Sequence, residues 1–289
     1  MRDYAITTDS SCDFDQALAD SLGVTVVPLS VQIGHRRFRN APGEAMDSHS
    51  FYQLLSQGEL AQTSAPNVEE FKAVWRPILQ SGRDLLYLGF SSGLSGTYHN
   101  AAIAAEDLRE EFPEARIITV DTLCASLGQG MLVDLTVQEK RQGKTLDEAA
   151  AFAEKNRLHL CHWFTVGDLS QLRRGGRLSA GKAIVGNLLN IKPVLHVDDE
   201  GHLVPMASAK GRKKSIEALV SHMEESAVAP EQQRVYISHG DCLADAQLLA
   251  QMVRDRLHVA SVTIGDVGPV IGAHSGAGTL ALFFVGTHR

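Results

Sequence analysis

Short apolar runs alternate with amphipathic stretches through the first half of the chain. Four of these runs predict strands, at residues 4–8, 24–33, 85–90 and 116–120. The amphipathic stretches between them predict helices that connect one strand to the next. This alternation is typical of a parallel sheet with helices on its faces.

Two of the predicted helices have readable starts. The spacing of a capping box is present twice, at Asn67 with Glu70, after Pro66, and at Thr145 with Glu148. In a capping box, the side chain of each of the two residues accepts a hydrogen bond from the backbone N–H of the other. A third helix is predicted over residues 98–111, directly after a Ser/Gly-rich turn. The first half therefore has the elements of an α/β unit.

The second half of the chain has a different pattern. Six strands are predicted, and an Asp-Asp-Glu-Gly turn at residues 198–201 indicates a hairpin, so this sheet is expected to be mixed or antiparallel with flanking helices. The strands are expected at residues 158–166, 191–197, 203–209, 234–239, 259–264 and 279–285. We predict a two-domain α/β fold, with an N-terminal domain at 1–156 and a C-terminal domain at 157–289. At 289 residues two packed domains are the default, and the cleft between them is the expected ligand site.

Composition places the chain among ordinary globular proteins. Hydrophobic residues make up 44% of it and charged residues 21%, which is enough apolar material for a core. The N-terminus lacks the pattern of a signal peptide, and no apolar run is long enough to cross a membrane, so we expect a soluble, cytoplasmic protein. The four cysteines are scattered without C-x-x-C spacing, which fits reduced thiols and not a zinc site.

The net charge of −7 is unevenly distributed. Residues 167–214 contain nine Lys/Arg and four acidic residues, so this segment carries +5 and the rest of the chain −12. Such a basic segment favours contact with a phosphate or an acidic partner surface, and a solvated basic face is the alternative. Nucleic-acid binding would normally need a broader basic surface with aromatic residues.

Small polar clusters follow three of the predicted strands, at residues 8–11, 91–97 and 121–122. In open α/β sheets the ligand lies beyond the carboxyl ends of the strands, so we expect these clusters to converge on one site. Ser95 is the natural donor, because the start of a helix presents free N–H groups and a positive dipole end to an anion. The alternative is that Ser95 or Thr97 simply caps the helix.

Two more segments carry candidate ligand groups. Thr63 and Ser64 precede a capped helix and form either a donor cluster or an ordinary turn. His274 lies among glycines that let the backbone approach a ligand, and an imidazole there can donate to an anion or accept a proton near neutral pH. A purely structural histidine is the alternative.

Three other chemistries are disfavoured by the residues present. A serine-hydrolase elbow needs glycine where Thr97 stands, and a phosphate-binding loop over residues 176–183 would need a hydroxyl where Ala183 stands. The histidines show no metal-ligand spacing, and helix capping and turns account for Asp9, Asp13 and Asp121, so we predict no metal site.

Taken together, eight segments resemble the DegV family, the bacterial proteins that act as the FakB subunit of fatty-acid kinase. Their order and spacing along nearly the whole chain make the resemblance specific. They are TTDSSCD, TSAP, SSGLSGTYHNA, VDTLCASLGQG, LRRGGRLS, NIKPVLHVDDEG, GRKK and GAHSGAG, starting at residues 7, 63, 91, 120, 172, 190, 211 and 272. Two departures stand at Ala65 and Ala277, where the family often has TSQP and HTGPG.

The resemblance implies a carrier that acts without a cofactor. A long-chain fatty acid would lie in a tunnel between the domains, with Thr63 and Ser95 binding its carboxylate and His274 beside them. Ser64, Ser92 and Gly96 are further candidates for this pocket. Arg212 would face a separate ATP-dependent fatty-acid kinase and the acyl-phosphate product, and transient contact with a membrane is allowed.

Two other classes remain as alternatives to this carrier. One is an enzyme, either a serine hydrolase using Ser95 or a phosphotransfer protein using His274, although no Ser-His-Asp set is evident. The other is a regulator that binds nucleic acid through the basic segment. The overall acidity of the chain disfavours it.

Overall fold

The computed structural model describes residues 2–44, 46–167, 169–179 and 190–289. Within these ranges the strands are β1 Tyr4–Asp9, β2 Thr25–Val27, β3 Ser30–Ile33, β4 Arg36–Arg39, β5 Ala61–Ser64, β6 Asp84–Gly89, β7 Ile117–Asp121, β8 Leu160–Thr165, β9 Ile191–Val197, β10 Leu203–Lys210, β11 Arg234–His239, β12 Ser261–Asp266 and β13 Leu280–Val285. The helices are α1 Gln16–Leu22, α2 Ser48–Ser56, α3 Val68–Gln80, α4 Thr97–Glu111, α5 Ser126–Arg141, α6 Leu146–Asn156, α7 Ser170–Arg174, α8 Arg212–Ser226, α9 Leu243–Leu257 and α10 Pro269–Ser275. None of the helices in these ranges combines the length and the hydropathy that a membrane span requires.

The first sheet is parallel, as predicted. Its strand order is β2-β1-β6-β7. Helices α3 and α4 cover one face through aromatic and alanine side chains, and α5 and α6 cover the other. Both predicted capping boxes are confirmed, at Asn67 with Glu70 and at Thr145 with Glu148.

The second sheet is mixed and has six strands in the order β10-β9-β8-β13-β11-β12. The β11 and β12 pair is parallel and the other pairs are antiparallel. The predicted hairpin is confirmed as the β9 and β10 pair. Helices α8 and α9 cover one face of this sheet.

Helix α5 packs between the two sheets. Its apolar residues join the core of the first sheet to Phe164 and Phe283 of the second. Glycines allow this close packing: a Cβ added at Gly128 would overlap the ring of His162, and one at Gly130 would overlap Phe14. The domain boundary near residue 156 stays a prediction.

The single strand predicted at residues 24–33 is wrong. The structure divides it at Pro28, which has no N–H to continue a ladder: β2 joins the parallel sheet, and β3 joins a third, antiparallel sheet of order β4-β3-β5. The sequence reasoning did not predict β4 or β5. The segment with Thr63 and Ser64 is therefore a strand and not a turn.

Candidate functional site

A cavity is lined by side chains from both halves of the chain. Most of its wall is apolar, with contributions from the loop after β6, the start of α5, the second sheet and α10. The lining residues are Leu29, Thr63, Phe90, Leu94, Ser95, Ala125, Ser126, His162, Phe164, Leu172, Arg177, Val197, Leu203, Ser238, Val267, Val270, Ile271, His274, Ser275, Thr279, Ala281 and Phe283. Three predicted residues, Thr63, Ser95 and His274, are therefore brought to one cavity.

Thr63 and His274 form a hydrogen-bonded pair at one end of this cavity. The hydroxyl Oγ1 of Thr63 lies 2.8 Å from Nε2 of His274. Exposure alternates along β5, so Thr63 and Ala61 turn inward while Gln62 and Ser64 face solvent. Both members of the pair also line an adjoining surface pocket, which marks this end as the mouth.

His274 is held neutral in the folded protein. Burial, with a smaller contribution from the positive charge of Arg177, lowers the pKa of its imidazole to about 4. A neutral imidazole carries one N–H and one acceptor nitrogen. If Nε2–H donates to Thr63, the hydroxyl proton of Thr63 is free to bond a ligand.

Arg177 is a residue that the sequence reasoning gave no role. Its Nε donates to the backbone oxygen of Leu94 at 3.2 Å, and another guanidinium nitrogen donates to the backbone oxygen of Gly175. Among the described residues that line the cavity, Arg177 carries the permanent positive charge, and it also lines the surface pocket at the mouth. The LRRGGRLS segment was the available signal for it.

Ser95 lines the cavity and also contacts the start of α4. Its Oγ accepts a hydrogen bond from the N–H of Thr97 at 3.3 Å and lies 2.9 Å from the hydroxyl of Thr97. Because Thr97 is the first residue of α4, Ser95 is held at the start of a 15-residue helix. Its oxygen is thus fixed where the positive end of the helix dipole meets the cavity.

This architecture matches known proteins over nearly its whole length. Residues 3–287 match the family model described as "Uncharacterised protein, DegV family". The chain belongs to the DegV family. A DegV domain-containing protein of Clostridium perfringens is 41% identical over 99% of this chain and 98% of its own length.

Two solved structures show the same fold. A DegV-family protein of Thermus thermophilus, described as fatty acid binding, is 33% identical with a TM-score of 0.87, over 98% of this chain and 99% of that one. A DegV lipid-binding protein of Thermotoga maritima is 28% identical with a TM-score of 0.87, over 99% of both chains. The predicted DegV-like α/β fold, with a parallel sheet and a mixed sheet flanked by helices, is confirmed.

Three further candidates of this DegV protein lie away from the cavity wall. Ser64 is exposed on the outer face of β5, and Gly96 is exposed just before α4. Ser92 is also exposed, and its backbone N–H donates to Asp121 at 3.2 Å. None of the three is among the lining residues.

The polar clusters at the strand ends differ in whether they line the cavity or hold a loop beside it. Buried Asp9 accepts hydrogen bonds from the Tyr87 hydroxyl at 2.7 Å and the Phe90 N–H at 2.9 Å. Asp121 accepts from the N–H groups of Ser92 and Leu123. These carboxylates therefore hold the loop at residues 90–97 in place. Of the three polar clusters, only the one at residues 91–97 contributes side chains to the cavity.

Arg212 does not line the cavity. It is the first residue of α8, where its Nε lies 2.8 Å from Asp245 and its Nη2 lies 3.3 Å from the sulfur of Cys242. Cys242 in turn donates to the backbone oxygen of Thr279, a lining residue, at 3.3 Å. One thiol thus connects Arg212 to the cavity wall.

The described residues show no hydrolase triad around His274. The ring of His274 forms a hydrogen bond with Thr63, and no carboxylate among the described residues forms a hydrogen bond with it. The phosphate-loop-like run falls in part on residues 180–183, and the basic segment includes Asp168 and Lys182; all of these lie outside the described residues.

One group of side chains in the described ranges has the proximity of metal ligands. Asp198, Glu200 and His202 lie together on the hairpin between β9 and β10. The turn itself accounts for the arrangement, because Asp198 accepts hydrogen bonds from the backbone N–H groups of Glu200 at 3.0 Å and His202 at 2.8 Å.

Proposed function

We propose that this protein binds a long-chain fatty acid in the cavity and presents its carboxylate to a separate ATP-dependent kinase. The observation that carries the proposal is the Thr63 and His274 pair, with Arg177 beside it, at the mouth of an apolar cavity. In this role the chain is a lipid-binding subunit, and the partner supplies the catalysis.

The polar groups at the mouth fit a carboxylate. A carboxylate that leaves water needs several hydrogen-bond donors, and bonds to a charged group are stronger than neutral ones. Thr63 donates its hydroxyl proton when His274 donates to Thr63, and Ser95 supplies a second hydroxyl. Arg177 adds the compensating positive charge.

The apolar wall fits the acyl chain. Burying about 15 methylenes at roughly 0.8 kcal/mol each offers on the order of 12 kcal/mol before ordering costs. Hydrophobic burial therefore supplies most of the affinity, and the mouth residues set the orientation. In the proposed division at residue 156, Thr63 and Ser95 come from one domain and Arg177 and His274 from the other.

The relatives support the same ligand class. The Thermus thermophilus protein is described as fatty acid binding and the Thermotoga maritima protein as lipid binding, and the fold here matches both. A Bacillus subtilis DegV, 27% identical with a TM-score of 0.85, is likewise described as a fatty acid binding protein.

For the transfer step, we assign Arg212 to the kinase side. It lies outside the cavity wall yet is connected to it through Cys242, so it can contact a partner without contacting the acyl chain. A cytoplasmic site of action follows from a partner that uses ATP.

The test is fatty-acid analysis of the freshly purified protein by native mass spectrometry and solvent extraction. We expect one acyl chain per molecule and uptake of added palmitate, with weaker retention in Ser95→Ala. Ser92→Ala removes an exposed hydroxyl from the same loop and should retain lipid normally. Absence of both endogenous lipid and palmitate uptake would refute the proposal.

A second assay separates binding from presentation. With a fatty-acid kinase and ATP, the loaded protein should yield acyl phosphate, and Arg212→Ala should lower that rate while leaving palmitate affinity unchanged. Hydrolysis of acyl esters by the protein alone would instead support the serine-hydrolase alternative at Ser95.

A further inference from the structure

Two serine hydroxyls meet on the cavity wall, on elements other than those that carry the proposed carboxylate ligands. Ser238 lies on β11 and Ser126 is the first residue of α5, and their oxygens are 3.0 Å apart. Both line the cavity, and both are buried. Neither is assigned a role in holding the carboxylate.

The hydrogen bonding of this pair leaves Ser238 incompletely satisfied. Ser126 lies 2.5 Å from the carboxyl oxygen Oδ2 of Asp13 and is its donor. Ser238 then donates its single proton to Ser126, and the lone pairs of Ser238 have no donor among the described residues. If Asp13 is protonated, it donates to Ser126 and Ser126 donates to Ser238. The hydroxyl proton of Ser238 then has no acceptor in this row of hydrogen bonds.

The carboxyl of Asp13 makes both arrangements accessible. Burial raises its pKa to about 8, although the hydrogen bonds from Ser126 and from the N–H of Gly268 act to lower the pKa. The hydroxyl of Ser238 can therefore face the cavity as either a donor or an acceptor.

Ser275, which follows His274 in α10, adds a second open hydroxyl to the lining of the same cavity. It is 6% exposed, its Oγ is buried, and that atom has no hydrogen-bond partner among the described residues. A buried hydroxyl without a partner is costly, and a saturated acyl chain packed against it would leave it unsatisfied.

We propose that the cavity selects long-chain fatty acids that carry a hydroxyl group within the chain, and that Ser238 and Ser275 bind this hydroxyl. This deepens the proposed function and rests on it. The ligand hydroxyl supplies a donor and an acceptor together, which is what the two open serines require. A plain acid of the same length gains the same apolar burial but not these bonds.

The expected preference is modest and measurable. A neutral hydrogen bond in a protein changes an equilibrium by about 3- to 10-fold. At least one stearic acid hydroxylated in mid-chain should therefore bind about 3- to 10-fold more tightly than stearic acid itself.

The experiment is competition binding against a fluorescent fatty acid, with stearic acid and a panel of stearic acids hydroxylated at different carbons. Ser238→Ala and Ser275→Ala are compared with wild type, with Ser238→Thr as the variant that keeps a hydroxyl. Ser261→Ala is the matched control, because Ser261 is an exposed serine at the start of β12. Ser275→Ala breaks no described hydrogen bond, so a folding defect in Ser238→Ala would not prevent the test.

The inference is supported if a hydroxylated acid is preferred and the preference disappears in either alanine variant but persists in Ser261→Ala. It is overturned if stearic acid and every hydroxylated acid bind equally, or if the preference survives both alanine variants; water would then satisfy the two serines. In those cases stearic acid still binds and the carrier function stands. Failure of all the acids to bind would refute the carrier function itself.

Discussion

The hydroxyl of Thr63 lies 2.8 Å from Nε2 of His274, although 211 residues separate them in the chain. One belongs to β5 of the small antiparallel sheet and the other to α10 near the C-terminus. Their bond connects the two proposed domains at the mouth of the cavity. The carboxylate site we propose therefore exists only when both halves are folded.

Thr63→Val should weaken fatty-acid binding about 10-fold or more, because hydrogen bonds to charged groups contribute about 1.5–3 kcal/mol. Valine keeps the shape of threonine and removes only the hydroxyl. Palmitate titration by calorimetry measures the change. Thr63→Ser should retain most of the affinity, and Ser64→Ala, on the outer face of the same strand, should retain all of it. Equal affinity in Thr63→Val and wild type would remove Thr63 from the site.

Arg177→Gln should weaken palmitate binding and at the same time raise the pKa of His274. The charge of Arg177 opposes protonation of this imidazole, so its loss lets the pKa move back toward the ordinary value of 6.5. NMR titration of the histidine ring measures the shift. Arg177→Lys keeps the charge and should leave the pKa low. An unchanged His274 pKa in Arg177→Gln would show that the two groups do not interact.

The neutral state of His274 should make the protein less stable in mild acid. Between pH 6.5 and about 4 the unfolded imidazole binds a proton that the folded one does not, so the free energy of unfolding falls as the pH falls through this window. The contribution of this group is at most about 3 kcal/mol. Urea unfolding of His274→Gln should show a shallower pH dependence than wild type. Parallel curves for the two proteins would contradict the buried neutral state.

Asp13 should make the protein less stable as the pH rises, whereas His274 makes it less stable as the pH falls. Its folded pKa of about 8 lies above the ordinary value of 3.8, so the stability it contributes is complete below pH 3.8 and is lost as the pH rises through about 8. Asp13→Asn cannot titrate and should become more stable relative to wild type between pH 5 and pH 8.5, as measured by urea unfolding. Asp199→Asn, at an exposed position on the hairpin, is the control and should follow the wild-type curve. A constant difference between Asp13→Asn and wild type across this range would show that Asp13 ionises normally.

The elements that the sequence determined are those whose cause is local. Alternating apolar runs marked the parallel strands, and the capping boxes at Asn67 and Thr145 marked two helix starts, because each depends on residues a few positions apart. The hairpin at residues 198–201 was predictable for the same reason. The order of the family segments along the chain then indicated Thr63, Ser95 and His274, which line one cavity.

The tertiary structure alone decided what depends on distant partners. Residues 24–33 read as one strand, yet they supply β2 and β3 to different sheets, and β5 forms only because β3 lies beside it. Ser238 gave no local signal of function, and the only signal for Arg177 was its place in the family segment LRRGGRLS. A single arginine or serine acquires a role from the groups packed around it. The sequence thus determined the family and the elements with a local cause. Long-range packing decided how residues 24–33 and β5 pair, which side chains share the cavity and which hydrogen bonds there are left open to a ligand.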